Sequence, residues 1–233
     1  MLLAHLPATM KRIWHLKNPE QLDELKRKLF INYPSLHVFN ENEVIFVRGN
    51  LPIEDLKNKK LVDEYKIEIE LPKTYPEDLP IVREIGGKIP KTADRHFYPN
   101  GKACLFIPEE RYRYFPDGKT IFDFIDDPTK NFFIGQTHFT LTGKWPFGER
   151  RHDELGVIDY YNEIIGTMDE KIICKFIYYL YKNEIKGHWL CYCGSGKILR
   201  KCHFEKLISV RKNIKPKDVK LSLILISKKI GII

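Results

Sequence analysis

The amino-acid sequence predicts an α+β protein, in which one helix precedes an antiparallel sheet and further helices follow it. Apolar residues recur at helical spacing directly after the pair Asn18-Pro19, and a strict two-residue alternation runs through residues 65–71. Helical periodicity returns after residue 153. This order differs from that of a doubly wound parallel sheet, in which strands and helices alternate along the chain.

The first predicted helix begins at Pro19. Asn18 precedes it as the N-cap, and proline fits the first helical position because an N–H there would have no partner within the helix. Three leucines at 3/4 spacing then place an apolar stripe on one face: Leu22, Leu25 and Leu29.

The strands follow the helix. Residues 36–39 and 44–47 are two short β-rich runs around a polar turn, which predicts a hairpin. Residues 65–71 alternate with period two and predict the clearest strand of the sequence. Residues 72–80 predict a rigid loop, because its prolines remove the donors that a sheet requires. A further short strand is expected at residues 81–82.

The helices of the second half carry recognisable start signals. Residues 120–123, Thr-Ile-Phe-Asp, resemble a capping box, and Pro128 is expected to kink or divide the helix that begins there. Residues 153–183 show apolar residues at helical spacing. Gly166 and Asp169 interrupt this stretch, so we predict two helices in it.

The charge of the chain is concentrated at its C-terminal end. Its 39 Lys and Arg residues and 31 Asp and Glu residues give a formal net charge of +8 at pH 7. Residues 1–181 carry 26 basic and 28 acidic side chains, a net of −2, whereas residues 182–233 carry 13 and 3, a net of +10. We therefore predict one domain at 1–181 and a basic extension at 182–233. Such an extension suits nucleic acid, an anionic lipid surface or an acidic protein, or is simply a solvated lysine-rich face.

The composition also indicates where the protein resides. The longest uncharged apolar stretch near the C-terminus, residues 221–227, is far shorter than the roughly 20 residues that span a bilayer. The start, MLLAHLPATMKRIW, has no basic region before an apolar one, unlike a secretory signal. We expect a cytoplasmic protein with no membrane segment. An odd count of five cysteines argues in the same direction, against a secreted disulfide framework.

Three of the five cysteines lie close together in the basic extension. Cys191, Cys193, Cys202 and His203 supply three thiolates and one imidazole, the ligand set of a closed structural zinc site. One residue separates the first two cysteines, and eight residues separate the second cysteine from the Cys-His pair. These eight residues begin with a Gly-Ser-Gly turn. This pattern resembles the SEC-C motif, which implies zinc binding. Cys174, in an apolar helical run, is expected to be a core residue.

A second constellation surrounds Cys104. The alternating strand is followed by LPKTYPEDLP, a short strand, a histidine-containing loop and the run Asn-Gly-Lys-Ala-Cys-Leu at residues 100–105. This order resembles the ubiquitin-conjugating enzyme family over roughly residues 18–135. The family has a proline-rich loop, matched here by Pro72, Tyr75, Pro76 and Pro80, and then an Asp-Gly turn before its cysteine. The resemblance implies the fold of that family.

The resemblance also implies an activity. Cys104 would accept an acyl group as a thioester and pass it to an amine, since a thioester remains activated towards amines. The family's His-Pro-Asn is absent, and alignment backwards from Cys104 places His96 at its asparagine. His96 would therefore support the oxyanion or position the attacking lysine, and Asn100 would shape the loop. Arg95 and Lys102 would favour the thiolate if they lie near it.

The sequence following this region resembles one bacterial branch of the fold. Residues 143–149, Gly-Lys-Trp-Pro-Phe-Gly-Glu, together with His152, are similar to members encoded in CBASS antiphage operons. That likeness implies a protein substrate, either the C-terminus of a neighbouring cyclic-nucleotide synthase or a ubiquitin-like modifier. The Trp145-Pro146 pair is expected to serve packing or partner docking.

A different class of function accounts for the same residues. The chain would then be a non-catalytic adaptor whose basic zinc extension holds nucleic acid or an acidic partner. Phosphate contacts would make that affinity fall steeply with salt. The extension has few aromatic residues for base stacking, so nucleic acid receives little support from the sequence.

Overall fold

The computed structural model describes residues 13–55, 60–146 and 153–232. These residues form an α+β structure with a four-stranded antiparallel sheet, as the sequence predicts. The helices and strands are α1 (Trp14–Lys17), α2 (Pro19–Asn32), β1 (Leu36–Glu41), β2 (Val44–Glu54), β3 (Leu61–Leu71), β4 (Ile81–Glu84), α3 (Arg111–Tyr114), α4 (Ile121–Phe124), α5 (Lys130–Thr142), α6 (Asp153–Ile165), α7 (Glu170–Tyr181), α8 (Phe204–Arg211) and α9 (Lys220–Lys229). Among the helices in these ranges, none is long and apolar enough to cross a bilayer.

Helix α2 begins at Pro19, as predicted, and its apolar stripe is buried at Leu25 and Leu29. Asn18 occupies the N-cap position, but its side chain makes no capping hydrogen bond. The helix therefore depends on proline at its first position and on burial of the leucine face.

The sheet follows the chain in the order β1, β2, β3, β4, and every neighbouring pair is antiparallel. Asn42 and Glu43 form the predicted turn between β1 and β2, with φ angles of 51° and 65°. Two central residues with positive φ match the right-handed twist of the flanking strands, which is why such turns suit tight hairpins.

The two faces of the sheet differ in chemistry, because side chains alternate along each strand. The inner face is apolar and fully buried on the two central strands at Ile45, Val47, Leu51, Tyr65, Ile67, Ile69 and Leu71. The outer face carries ion pairs between strands, with Arg48 bonded to Glu68 at 2.8 Å and Arg83 to Glu70 at 2.9 Å.

Helices α4 and α5 complete this part of the chain. Thr120 and Asp123 form the predicted capping box at the start of α4. A π-helical turn, Ile125–Thr129, contains Pro128 and joins α4 to α5, so the predicted disruption of the helix takes this form. Phe133 of α5 is fully buried.

The described residues divide into two compact units. The first comprises those within Met1–Leu105 and Gly118–Phe147, and the second those within Phe106–Asp117 and Gly148–Ile233. The second unit has its own core, built from α6, α7 and the segments after them: Val157, Ile158, Tyr160, Tyr161, Ile173, Cys174, Phe176, Ile177, Tyr179, Leu180, Cys191, Tyr192, Leu199, Leu207, Ile214, Val219 and Ile226.

The predicted boundary after residue 181 lies inside the second unit. Residues on both sides of it, such as Phe176 and Leu207, belong to one core. The division at 181 stays a sequence-based prediction, while the compact units divide the chain elsewhere. The two helices predicted in residues 153–183 are α6 and α7, and Asp169 caps the second by accepting from two main-chain amides.

Candidate functional site

Cys104 lies at the end of a loop that is fastened to the sheet. The amide of Ala103 donates to the carbonyl of Val82 in β4 at 2.8 Å, and Phe97 forms an isolated bridge with Ala103. Phe97 and Ala103 are buried, whereas Cys104 is half-buried. The amide of Cys104 donates to the carbonyl of His96 at 2.7 Å. The loop thus holds a partly exposed thiol at a defined place.

Tyr98, which the sequence did not single out, contacts the sulfur of Cys104. Its hydroxyl oxygen lies 3.5 Å from the Sγ atom of Cys104. Its main chain is held by the Asn100-Gly101 turn, because its amide donates to the carbonyl of Lys102 at 2.9 Å and its carbonyl accepts from Gly101 at 2.8 Å. The thiol of Cys104 donates to this hydroxyl, and when the thiol is ionised the hydroxyl can donate to the thiolate instead.

Asn100 shapes this turn, which is the structural part of the role predicted for it. Its Oδ1 atom accepts from the amide of Lys102 at 3.2 Å. Gly101 has a φ of 76°, a conformation that side chains disfavour, so glycine is required directly after the asparagine. Any direct role of Asn100 in catalysis stays a prediction.

His96 is half-buried and adopts an unusual backbone conformation. Its φ and ψ of 54° and 44° lie in the left-handed region, which residues other than glycine rarely occupy. Its ring meets the ring of Trp145 edge-on, with the centroids 4.5 Å apart. Arg95 turns to α5, where its guanidinium bonds to the hydroxyl of Thr140 at 2.7 Å. A role of Arg95 in favouring the thiolate stays a prediction.

The predicted metal ligands converge in the second unit. Cys191 and Cys193 lie on a tight hairpin closed by a bridge between Leu190 and Ile198. Gly194 and Gly196 turn this hairpin with φ angles of 76° and 74°. Leu199–Lys201 form a 3-10 turn that brings the second pair of ligands, Cys202 and His203, back to the first.

The four ligand atoms have the spacing of a metal site, lying within 4.8 Å of one another. The Nδ1 atom of His203 is 3.3 Å from the sulfur of Cys191 and 3.2 Å from that of Cys202, and the sulfurs of Cys193 and Cys202 are 3.6 Å apart. Tetrahedral zinc with its usual bond lengths places such atoms roughly 3.5–3.8 Å apart. Cys191, Cys193, Cys202 and His203 could therefore hold a metal ion.

The surroundings of these ligands order the site. The Nζ atom of Lys175 donates to the carbonyl of Cys191 at 3.1 Å, and Cys191 itself is buried. Burial raises the pKa of the Cys191 thiol to about 11. For Cys193 burial acts in the same direction, but hydrogen bonds from Ser195, and further ones from Cys191 and Cys202, outweigh it and bring the pKa to about 6. Binding of a metal at this cluster releases whatever protons the thiols hold.

Cys174 stands apart from both sites. It is buried in the core of the second unit, as the sequence predicts, and its sulfur lies 3.7 Å from the hydroxyl of Ser227. Of the motif at residues 143–149, only residues 143–146 belong to the described ranges. The remaining part of the motif and His152 lie outside the described residues.

Comparison with known proteins adds no relative. No family model matches the chain, and no curated protein or solved structure is significantly similar to it. The geometry of the two sites and the sequence motifs are therefore the basis for any functional conclusion.

Proposed function

We propose that the protein is an acyl carrier of the ubiquitin-conjugating type, which forms a thioester on Cys104 and transfers the acyl group to an amine. One observation supports this proposal above the others. The half-buried thiol of Cys104 lies 3.5 Å from the hydroxyl of Tyr98, and the main-chain amide of Cys104 donates to the carbonyl of His96. A nucleophile needs this combination of access, a fixed position and neighbouring polar groups.

The architecture of the first unit supports the same proposal. Helix α2 precedes a four-stranded meander in sequential order, a proline-containing loop leaves β3, and the cysteine follows β4. This is the order of elements that the resemblance to ubiquitin-conjugating enzymes implies. We accordingly propose that fold for the first unit.

The chemistry consists of two acyl transfers. The thiolate of Cys104 attacks the carbonyl carbon of a donor thioester, a new C–S bond forms, and the donor thiolate leaves. An amine then attacks the Cys104 thioester, the thiolate of Cys104 leaves, and the proton of the amine passes to solvent. His96 would support this second transfer, either by donating to the oxyanion of its tetrahedral intermediate or by positioning the attacking amine. Tyr98 would donate to the thiolate before the first transfer and after the second.

The CBASS-like motif suggests where the acyl group comes from. We propose the C-terminus of a cyclic-nucleotide synthase, or of a ubiquitin-like modifier, as the acyl donor, and antiphage defence as the setting. The donor would present this C-terminus as a thioester, so that the donor thiolate is the leaving group when Cys104 attacks.

We also propose that the metal at the Cys191, Cys193, Cys202 and His203 cluster is zinc and that its role is structural. Three thiolates and one imidazole fill the four tetrahedral positions, which leaves none for a reacting water. Zinc supplies folding free energy at such a site. The second unit would then serve as a recruitment module.

The proposal is tested with a synthetic peptide thioester ending in glycine as the acyl donor. Intact mass should show one acyl adduct on the wild type, which hydroxylamine removes and peptide mapping assigns to Cys104. Cys104→Ala should lose the adduct, and Cys174→Ser, which alters the buried cysteine of the second core, should retain it. An adduct of equal amount in Cys104→Ala would contradict the proposal.

A second candidate function rests on a different observation. Lys197, Arg200 and Lys201 flank the metal cluster, are exposed, and form no ion pair with any residue of the described ranges. A non-catalytic adaptor would use these charges to hold a phosphate backbone or an acidic protein. Fluorescence anisotropy with a labelled single-stranded oligonucleotide between low and physiological salt tests the nucleic-acid version. Binding that is absent, or is independent of salt, rejects it.

A further inference from the structure

Trp145 contacts the ring of the histidine whose carbonyl bonds to Cys104. We infer that Trp145 is a positioning residue for His96, fixing the imidazole for the transfer of the acyl group from Cys104 to an amine. This inference rests on the proposed function and adds a residue to its machinery. It also identifies the face of α5 that packs against Trp145 and holds the main chain next to His96.

The indole is held between the histidine and α5. The centroids of Trp145 and His96 are 4.5 Å apart at an interplanar angle of 73°, an edge-to-face contact. The centroid of Phe139, on α5, lies 4.9 Å from that of Trp145. Aromatic contacts of this kind are directional and restrict the orientation of both rings.

A glycine on α5 admits the indole. A Cβ atom built on Gly135 would lie 3.2 Å from the Cζ3 atom and 3.5 Å from the Cε3 atom of Trp145. The ring therefore rests almost directly on the helix backbone. Glycine inside a helix costs about 1 kcal/mol relative to alanine, so its presence in the middle of α5 has a reason in this close approach.

The main chain next to the histidine is held by the same face of α5. The Nε2 atom of Gln136, which is fully buried, donates to the carbonyl of Arg95 at 2.8 Å. The guanidinium of Arg95 in turn bonds to Thr140 at 2.7 Å and lies 4.7 Å from the ring centroid of Phe139. Residue 95 is thus tied to two successive turns of the helix.

These contacts stabilise a strained conformation. A left-handed backbone at a residue with a Cβ atom costs roughly 1–2 kcal/mol, and His96 has a φ of 54°. Such strain persists where the surrounding structure over-determines it, often where a reaction requires a fixed geometry. Here α5 holds the backbone on one side of His96, Trp145 holds the ring, and the amide of Cys104 holds the carbonyl.

The test compares four variants with the wild type: Trp145→Leu, Trp145→Phe, Gly135→Ala and His96→Ala. Trp189→Leu is the matched control, because Trp189 is also half-buried but lies in the second unit, against Tyr179. Two readouts are needed. The first is the NMR signal of the His96 imidazole in the unloaded protein. The second is the single-turnover rate at which the Cys104 thioester of a synthetic glycine-ended peptide acylates free lysine.

Trp145→Leu should move the imidazole resonances of His96 towards those of a solvent-exposed histidine. It should also slow acyl transfer to lysine by about tenfold or more, as misplacement of a reacting group does. Loading of Cys104 should stay close to the wild-type rate. The double variant His96→Ala/Trp145→Leu should transfer no more slowly than His96→Ala, because Trp145 acts through His96. Trp145→Phe should restore part of the rate.

Gly135→Ala separates positioning from stability. Alanine favours the helix, so α5 should not be weakened, yet the new methyl group would displace the indole by a few tenths of an ångström. We expect a slower transfer without lower stability, an outcome that a merely structural role for Trp145 does not produce. Trp189→Leu should leave both readouts unchanged.

Each failure has its own signature. Unchanged imidazole resonances in Trp145→Leu would overturn the inference whatever the transfer rate. The inference would also be overturned if the double variant transferred as slowly as the separate effects of His96→Ala and Trp145→Leu combined. A wild type that never forms the thioester would overturn the proposed function. The imidazole signal would then still decide whether Trp145 holds His96.

Discussion

The amide of Cys104 donates a 2.7 Å hydrogen bond to the carbonyl oxygen of His96. This bond closes the loop that carries both residues, so the main chains of Cys104 and His96 are held together. The hydroxyl of Tyr98, within the same loop, lies 3.5 Å from the sulfur. The proposed chemistry depends on this small closed arrangement and on the helix face that holds it.

Replacing Tyr98 by phenylalanine tests the hydrogen bond between its hydroxyl and the sulfur of Cys104. We expect iodoacetamide to alkylate Cys104 about fivefold more slowly at pH 7, because one hydrogen bond to the thiolate contributes about 1 kcal/mol. Mass-spectrometric peptide mapping follows Cys104 separately from the other cysteines. Tyr178→Phe, at an exposed tyrosine of α7, is the control and should react like the wild type. Equal rates in Tyr98→Phe and the wild type would mean that the hydroxyl does not serve the sulfur.

Replacing Cys193 by serine tests the metal cluster. The purified protein should contain about one zinc ion per chain, and Cys193→Ser should lose most of it, since an alcohol is a far poorer ligand than a thiolate. Elemental analysis measures the metal, and urea unfolding should show a less stable second unit. Cys174→Ser should keep its zinc. A wild type that binds zinc no better than Cys193→Ser contradicts the assignment.

Glu84 should stabilise the first unit in a manner that depends on pH. Burial alone would raise the pKa of this carboxyl, but the hydrogen bond from Lys91 and those from the amides of Lys88 and Ile89 outweigh it and hold the pKa below 4.5. A lowered pKa means that the stabilisation is present above the unfolded value and is lost as the pH falls through the folded value. Glu84→Gln should therefore cost about 1–3 kcal/mol at pH 7 in urea unfolding.

That difference between Glu84→Gln and the wild type should shrink as the pH falls from 4.5 through the lower pKa of the folded state, because the carboxyl of Glu84 then becomes neutral like the amide of glutamine. Glu64→Gln is the control, because Glu64 is exposed and accepts from Asn50. A cost that is the same at pH 7 and at low pH would show that Glu84 acts through packing and not through its charge.

The contribution of Glu109 to stability should depend on pH in the opposite sense to that of Glu84. Burial in the second unit raises the pKa of Glu109 to about 7, against 4.5 for an ordinary glutamate, and Tyr161 donates to its Oε1 atom at 3.2 Å. The native state therefore keeps a proton that the unfolded chain releases. Its contribution is complete below pH 4.5 and is lost as the pH rises through 7.

Glu109→Gln mimics the protonated carboxyl and should raise the free energy of unfolding at pH 8 by roughly 3 kcal/mol, at about 1.4 kcal/mol for each unit of the pKa difference between about 7 and 4.5. Near pH 4.5 it should change little. Urea unfolding at the two pH values measures both, with Glu205→Gln, at an exposed residue of α8, as the control. A variant that is less stable than the wild type at pH 8 would contradict this expectation.

Local signals were sufficient for most of the secondary structure. Pro19 marks the start of α2, the alternation of residues 65–71 marks β3, and Thr120 with Asp123 marks α4. Each of these signals acts within a few residues, so the sequence displays it directly. The metal ligands also converge as their spacing predicts, because a hairpin with two glycines leaves the chain few ways to turn.

Contacts between distant residues could not be predicted in the same way. Tyr98 gave no signal, because its contact with Cys104 depends on the closure of an irregular loop. The approach of Trp145 to His96 depends on the packing of α5, to which no periodicity points. Segment 106–117 joins the second unit for a similar reason, since Glu109 contacts Tyr161 on α6. The catalytic roles of Cys104, His96 and Asn100 stay predictions.

The most direct test of the central claim is a single-turnover transfer measured by intact mass. The wild type is loaded on Cys104 with a synthetic glycine-ended peptide thioester, freed of donor and mixed with lysine. We predict that acyl-lysine appears in step with the loss of the adduct, and faster than from the same peptide carried on N-acetylcysteine. A loaded Cys104 that only hydrolyses, or one that transfers no faster than the free thiol carrier, would contradict the claim.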